Sequence, residues 1–261
     1  VSEKTTHVFK AIVIPLGIGL LAGLSSGLFG VGGGFIMVPL FVYLLKLDQK
    51  RAHATSLAAV VPIAFVGALG YGNQGNVVIS AAVFVLAGSI IGATYGARLL
   101  QTIALPRIQI LFAAILIATA IRLVWSVAPT QLVHGLNSHV FLFGVGLASG
   151  VLSGLLGVGG GLFVVPALIT AAGLSSLEAR GTSLAAIVGT ALGGAITHVL
   201  RGNVEIRLAV LCGLGGIPGV FLGVLASHDV SESIAVRALA ALIVFVAVQQ
   251  LRSARQGLAT V

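Results

Sequence analysis

Two glycine runs carry the chemistry this sequence offers. Gly27–Pro39 reads GLFGVGGGFIMVP and Gly154–Pro166 reads GLLGVGGGLFVVP. Successive glycines free to adopt positive φ can point several N–H groups into one concavity, a nest for an anion. A helix that begins just after each run adds its positive N-terminal end. The candidate substrate-binding positions are therefore Gly32, Gly33 and Gly34, with Gly159, Gly160 and Gly161 in the second copy. Pro39 and Pro166 lack an N–H, so each frees a carbonyl about one turn earlier and loosens the start of its arm. The competing reading is that the glycines only let helices approach closely. A nucleotide loop is a poor fit, since no Lys-Ser/Thr follows either run and no strand precedes it.

Side chains at matched positions extend the set. Thr55-Ser56 and Thr182-Ser183 place hydroxyl donors at equivalent places in the two copies. Their alternative role is a local bond to the helix backbone. His53 and Arg180 precede these pairs, and Arg180, read as the only base in an outer loop, would attract an anion at the mouth or be a plain surface charge. His198 is the histidine expected to be membrane-embedded, and such a residue is a functional candidate by default. Acidic groups inform by absence. None of the six carboxylates falls within the middle of an apolar span. Cation carriers and carboxylate proton relays bury such groups, so donors without buried acids favour an anion. No paired carboxylates, Ser-His-Asp set or HExxH run offers a catalytic site. The single Cys212 excludes an intrachain disulfide or a cysteine metal cluster. No cofactor and no metal is expected.

The elements that must position these residues follow from composition. Hydrophobic residues make up 58% and charged residues 8% of 261 positions, and mean hydropathy is +1.16. Soluble domains carry roughly 25% charged residues. The apolar runs are continuous and about twenty residues long, which indicates membrane helices rather than alternating β-barrel strands. The expected class is an all-α polytopic membrane protein. A net charge of +8 would suggest nucleic acid in a soluble protein. Here the bases sit mostly at span ends, as cytoplasmic loops require, and the expected partner is the lipid bilayer. The run after Lys10 shows no convincing cleavage pattern, so it reads as a retained first span.

The two glycine runs lie 127 positions apart, and the same offset relates Gly19, Gly23 and Gly27 to Gly146, Gly150 and Gly154. It also relates Gly88, Gly92 and Gly96 to Gly215, Gly219 and Gly223. These four-residue stripes suit close helix packing. The chain is thus a duplication, 1–134 and 135–261, with five segments in each half. The second segment of each half is short, about twelve residues or roughly 18 Å against a core near 30 Å. An odd segment number inverts the second half, with a pseudo-two-fold axis in the membrane plane. Placing both termini in the cytoplasm collects most bases on the inner side and leaves the turn at 72–76 and the linker at 128–138 uncharged. The pattern is an inverted repeat with two helix breaks near the midplane, where protein or a water-filled cavity must cover the freed backbone.

The doubled G-(L/I)-x-G-V-G-G-G-x-x-x-V-P run, the A-x-x-T-S-L pattern (Ala52–Leu57 and Ala179–Leu184) and Leu200–Ala209 together resemble the TauE/SafE family. This is the sulfite exporter or toluene sulfonate uptake permease family. The resemblance spans nearly the whole chain. It implies a multi-pass carrier of sulfite, sulfonates or related sulfur-containing anions in the cytoplasmic membrane of a bacterium or archaeon. The first copy departs from the R-x-G-N pattern, reading Asn73-Gln74-Gly75-Asn76 without the arginine. The expected function is a secondary transporter with the anion held between the two breaks. An anion channel is the first alternative. A membrane-embedded enzyme and a sensor are disfavoured, and homo-oligomerisation is left open.

Overall fold

The computed structural model describes residues 3–99, 105–125, 136–156 and 160–259. Among these, every regular element is a helix. The first half forms α1 (Glu3–Phe29), α2 (Gly34–Tyr43), α3 (Gln49–Gly72), α4 (Ile79–Leu99) and α5 (Leu105–Trp125). The second forms α6 (Leu136–Leu156), α7 (Gly161–Thr170), α8 (Ser176–Leu200), α9 (Ile206–Asp229) and α10 (Glu232–Ala259). Five stretches are long and apolar enough to cross a membrane: Ala11–Phe29, Gln49–Gly72, Ser176–Leu200, Ile206–Asp229 and Glu232–Arg252. The other five helices contain shorter apolar stretches, including both ten-residue arms, α2 and α7. Large apolar side chains such as Leu21, Phe65, Leu111, Phe221 and Phe245 are exposed. Such a surface suits hydrocarbon, since all-helical spans satisfy their own backbone groups. The protein is a multi-pass membrane protein. The linker read at 128–138 falls largely outside the described residues.

Local sequence explains where helices stop. Glycine runs end α1 and begin α2. Gly75 and Gly202, at φ 75° and 66°, turn the chain after α3 and α8 in matched four-residue turns. Asp48 caps α3 by accepting from the Arg51 N–H at 3.0 Å.

Packing does not follow the sequence halves. α1 lies along α9 and α4 lies along α6. The glycine stripes make these contacts, as their spacing suggests. A methyl on Gly19 or Gly23 would overlap the Cys212 or Gly216 carbonyl. One on Gly88 or Gly92 would overlap the carbonyl of Phe143 or Leu147. Residue numbers rise together along both pairs, so the helices run parallel with backbones touching. At the centre, α3 packs on α8 in the opposite sense. A Cβ at Gly67 would lie 2.7 Å from Leu184 Cδ1, and one at Gly194 would lie 3.1 Å from Leu57 Cδ1. The second contact is the first shifted by 127 positions. The α3·α9 and α4·α8 contacts are exchanged by the same shift.

Candidate functional site

Both breaks reach the α3–α8 crossing. Gly30, Gly32 and Gly33 have φ of 72°, 80° and 74°. This left-handed backbone folds the chain back after α1. A Cβ on Gly30 would lie 2.5 Å from Arg180 Cα, and one on Gly33 would lie 2.6 Å from the Ala22 carbonyl oxygen. Between them, Gly32 faces Ile187 and Val60, with Cβ contacts of 3.3 and 3.4 Å. Val60 and Ile187 are themselves 127 positions apart. Gly161, the first residue of α7, meets Val31: a Cβ there would lie 2.7 Å from Val31 Cα. Two short helices therefore begin near one point beside the middle of the central pair.

The backbone there has spare donors. The Gly30 N–H reaches the Ser26 carbonyl at 2.8 Å, but those of Val31, Gly32 and Gly33 make no backbone hydrogen bond among the described residues. Gly34 and Phe35, and Gly161 and Leu162, open their helices and have no partner within them. The positive ends of both arms face this region. Its side chains are apolar, with Val31, Phe35, Val60, Leu162 and Ile187 buried.

The second break differs at Gly160. Gly159 lies outside the described residues. Gly160 has φ of −66°, so the left-handed nest expected there is absent at this residue. The cause is visible one element away. Ser149 on α6 donates its hydroxyl to the Gly160 carbonyl at 3.0 Å. Its counterpart in the first half is Ala22, which has no hydroxyl to offer.

The hydroxyl pairs are not brought together. Thr55 Oγ1 accepts from the Glu205 N–H at 3.1 Å, and Thr182 Oγ1 accepts from the Val78 N–H at 3.0 Å. Each threonine thus caps the start of a helix in the other half, α9 or α4. In the antiparallel crossing, Thr182 lies about fourteen residues along from Thr55, or roughly 20 Å. One small anion does not span that. Ser56 and Ser183 are buried beside them, and Ser183 Oγ has no partner among the described residues.

Arg180 is not in a loop. Ser175 and Glu178 form a capping box, with the Glu178 N–H reaching Ser175 Oγ at 3.3 Å and the Ser175 N–H reaching Glu178 Oε2 at 2.9 Å. α8 therefore starts before Arg180, and the arginine is only 2% exposed. Its Nη2 donates to Ser176 Oγ at 2.8 Å, while Nε has no partner among the described residues. The Tyr71 hydroxyl donates to the Gly27 carbonyl at 2.6 Å and lies beside the Ser227 and Arg180 side chains. The ion pairs among the described residues join Arg51 to Asp48 and Glu205, and neither involves Arg180. A buried guanidinium without a carboxylate is costly unless something else meets its charge.

The other end of the central pair has imidazoles at the matched positions. His53 takes the place of Arg180, and His198 that of Tyr71. Both are half-buried, and His198 Nδ1 is buried without a partner among the described residues. The candidates thus divide into an Arg180 end, a His53–His198 end and the paired breaks between. Ser26, Tyr71 and Ser149 were not among the sequence candidates. The 127-position offset was the available signal, because it pairs Tyr71 with His198 and Ala22 with Ser149.

Comparison with known proteins agrees with this architecture. The family model described as sulfite exporter TauE/SafE matches residues 2–123 and 142–260. A "Probable membrane transporter protein" of Xylella fastidiosa is 29% identical over 230 residues, covering 86% of this chain and 88% of the relative. "Probable membrane transporter protein YdhB" of Bacillus subtilis is 28% identical over 208 residues, covering 78% and 85%. A third relative of that description, from Haemophilus influenzae, is 32% identical over 209 residues, covering 75% and 76%.

Proposed function

The chain belongs to the sulfite exporter TauE/SafE family of membrane transporters, and from that premise we propose that it is a secondary carrier of a small sulfur-containing anion, such as sulfite or an organosulfonate. The observation that carries this reading is the convergence of α2 and α7 at Val31 and Gly161. Two helix N-termini with free N–H groups face one place, and among the described residues no carboxylate is buried there. Such a place favours negative charge.

The proposed frame is two inverted repeats, 1–134 and 135–261, with both termini in the cytoplasm. The antiparallel α3–α8 contacts, repeated at one offset, support the inversion. The set Gly32–Gly34 and Gly159–Gly161 supplies backbone donors, and the polar residues at the two ends of the central pair meet the anion before and after the midplane. The protein has no catalytic role in this scheme.

Flux of sulfite, thiosulfate and a sulfonate panel into proteoliposomes tests it. Saturable flux with counterflow is expected. Unsaturable flux would favour the channel, and no flux of any anion would reject the reading. Cysteines placed at Asn73 and Asn137 should label from outside intact cells while one at Gln49 should not. The reverse would overturn the orientation.

A further inference from the structure

Three buried polar atoms without partners among the described residues belong to the helices packed against the first break, and the second break shows no such set among its described residues. Arg180 Nε, Ser183 Oγ and Ser26 Oγ lack hydrogen bonds among the described residues, and these residues are 2%, 0% and 0% exposed. Their placement is set by the backbone. Gly30 sits on Arg180 and Gly32 on Ile187, so the break runs along one face of α8. Ser183 lies three residues after Arg180 and four before Ile187, on that same face. On the opposite wall, Gly33 sits on Ala22, and Ser26 is one turn further along α1 on the Ala22 face. The segment 31–33 packs between α8 and α1, and the N–H groups of Val31, Gly32 and Gly33 have no backbone partner among the described residues.

We propose that this groove is an oxyanion path, with Arg180 as the docking cation at one end. Ser183 and Ser26 are the donors that carry the anion on toward the α2 and α7 N-termini. The inference rests on the carrier reading above and adds where the anion first binds. The ligand class follows from the donors. A guanidinium edge, two hydroxyls and backbone N–H groups are all donors, so they suit a compact head group made of acceptor oxygens, such as sulfite or a sulfonate. The path is lopsided. At the position matched to Arg180 the first half has His53, so the fixed charge stands at one end only.

Binding to the purified full-length chain tests this, read as the concentration dependence of the thermal shift with sulfite and, separately, methanesulfonate. Arg180→Gln should weaken apparent affinity at least tenfold. Arg180→Lys should fall between, because it keeps the charge and loses the planar fork. Ser183→Ala and Ser26→Ala should each weaken it severalfold. Ser153→Ala, the counterpart of Ser26, should leave it unchanged. A purely structural Arg180 would lower the melting temperature without anion and leave the affinity as it was, which would overturn the proposal. Should Arg180→Gln not fold, the two serine variants decide alone, and wild-type affinity in both overturns the path. If the unaltered chain shows no shift with either anion, the anion reading falls and this inference with it. A wild-type shift that all variants share sinks only the path.

Discussion

The two breaks share the run GVGGG yet differ in backbone at the matched residues Gly33 and Gly160. In the first, Gly33 is left-handed and leans on the Ala22 carbonyl. In the second, Gly160 is right-handed and its carbonyl takes a hydroxyl from Ser149. Residues 22 and 149 are matched positions on α1 and α6, so at this contact the two breaks differ by one hydroxyl. Identical glycines grant freedom, and a neighbour one element away decides how it is used. The result is two arms that begin close together from differently turned glycines.

The sharpest way to break this comparison is to add a methyl to each. Gly33→Ala forces an L-residue into the left-handed region, which costs about 1–2 kcal/mol, and overlap with the Ala22 backbone adds to that. Gly160→Ala carries no φ penalty and meets chiefly the Ser149 hydroxyl, with the Ser149 Cβ and carbonyl oxygen at 3.2 and 3.3 Å. Thermal unfolding should show the larger loss for Gly33→Ala. Ser149→Ala should restore most of the stability of Gly160→Ala and none of that of Gly33→Ala. Equal losses at both glycines would mean the backbones do not differ. In transport, Gly33→Ala should lose large sulfonates before sulfite, because the methyl removes volume beside the ligand. Proportional loss for every anion would return the run to helix packing.

A smaller effect compares the hydroxyl pairs. Thr55→Val uncaps α9 and Thr182→Val uncaps α4, each at about 1 kcal/mol. Roughly 20 Å apart, the two should add in the double variant. Unchanged stability with weakened sulfite binding would instead place the hydroxyls on the substrate. The smallest effect should be Ser149→Ala alone, which removes one hydrogen bond worth about 1 kcal/mol or less. If it also moves anion affinity, the second break takes a direct part in binding.

Much of this architecture was legible in the sequence. Gly-Gly-Gly inside apolar runs marked the breaks, because tripled glycine destabilises a helix wherever it falls. The four-residue stripes marked backbone contact, and Gly19, Gly23, Gly88 and Gly92 make it. Arg180 was read as an outer-loop base, although Ser175-x-x-Glu178 is a capping-box pattern that starts the helix before it. The threonine partners were beyond reach. Thr55 and Thr182 bond to the backbone of Glu205 and Val78, about 150 and 100 positions away, and a backbone N–H carries no residue signature. The right-handed Gly160 was hidden for the same reason, since its cause lies on another helix.

The exchange of helices between halves sets a schedule for assembly. Gly23 on α1 finds its neighbour only when Gly216 on α9 has been made. That is roughly 190 residues later, about 10–40 s at 5–20 residues per second. Through that interval the flat face of α1 has no lasting partner, and lipid or an insertion factor must cover it. The first repeat made alone keeps α1 waiting indefinitely, so two repeats supplied as separate chains should persist only where they meet.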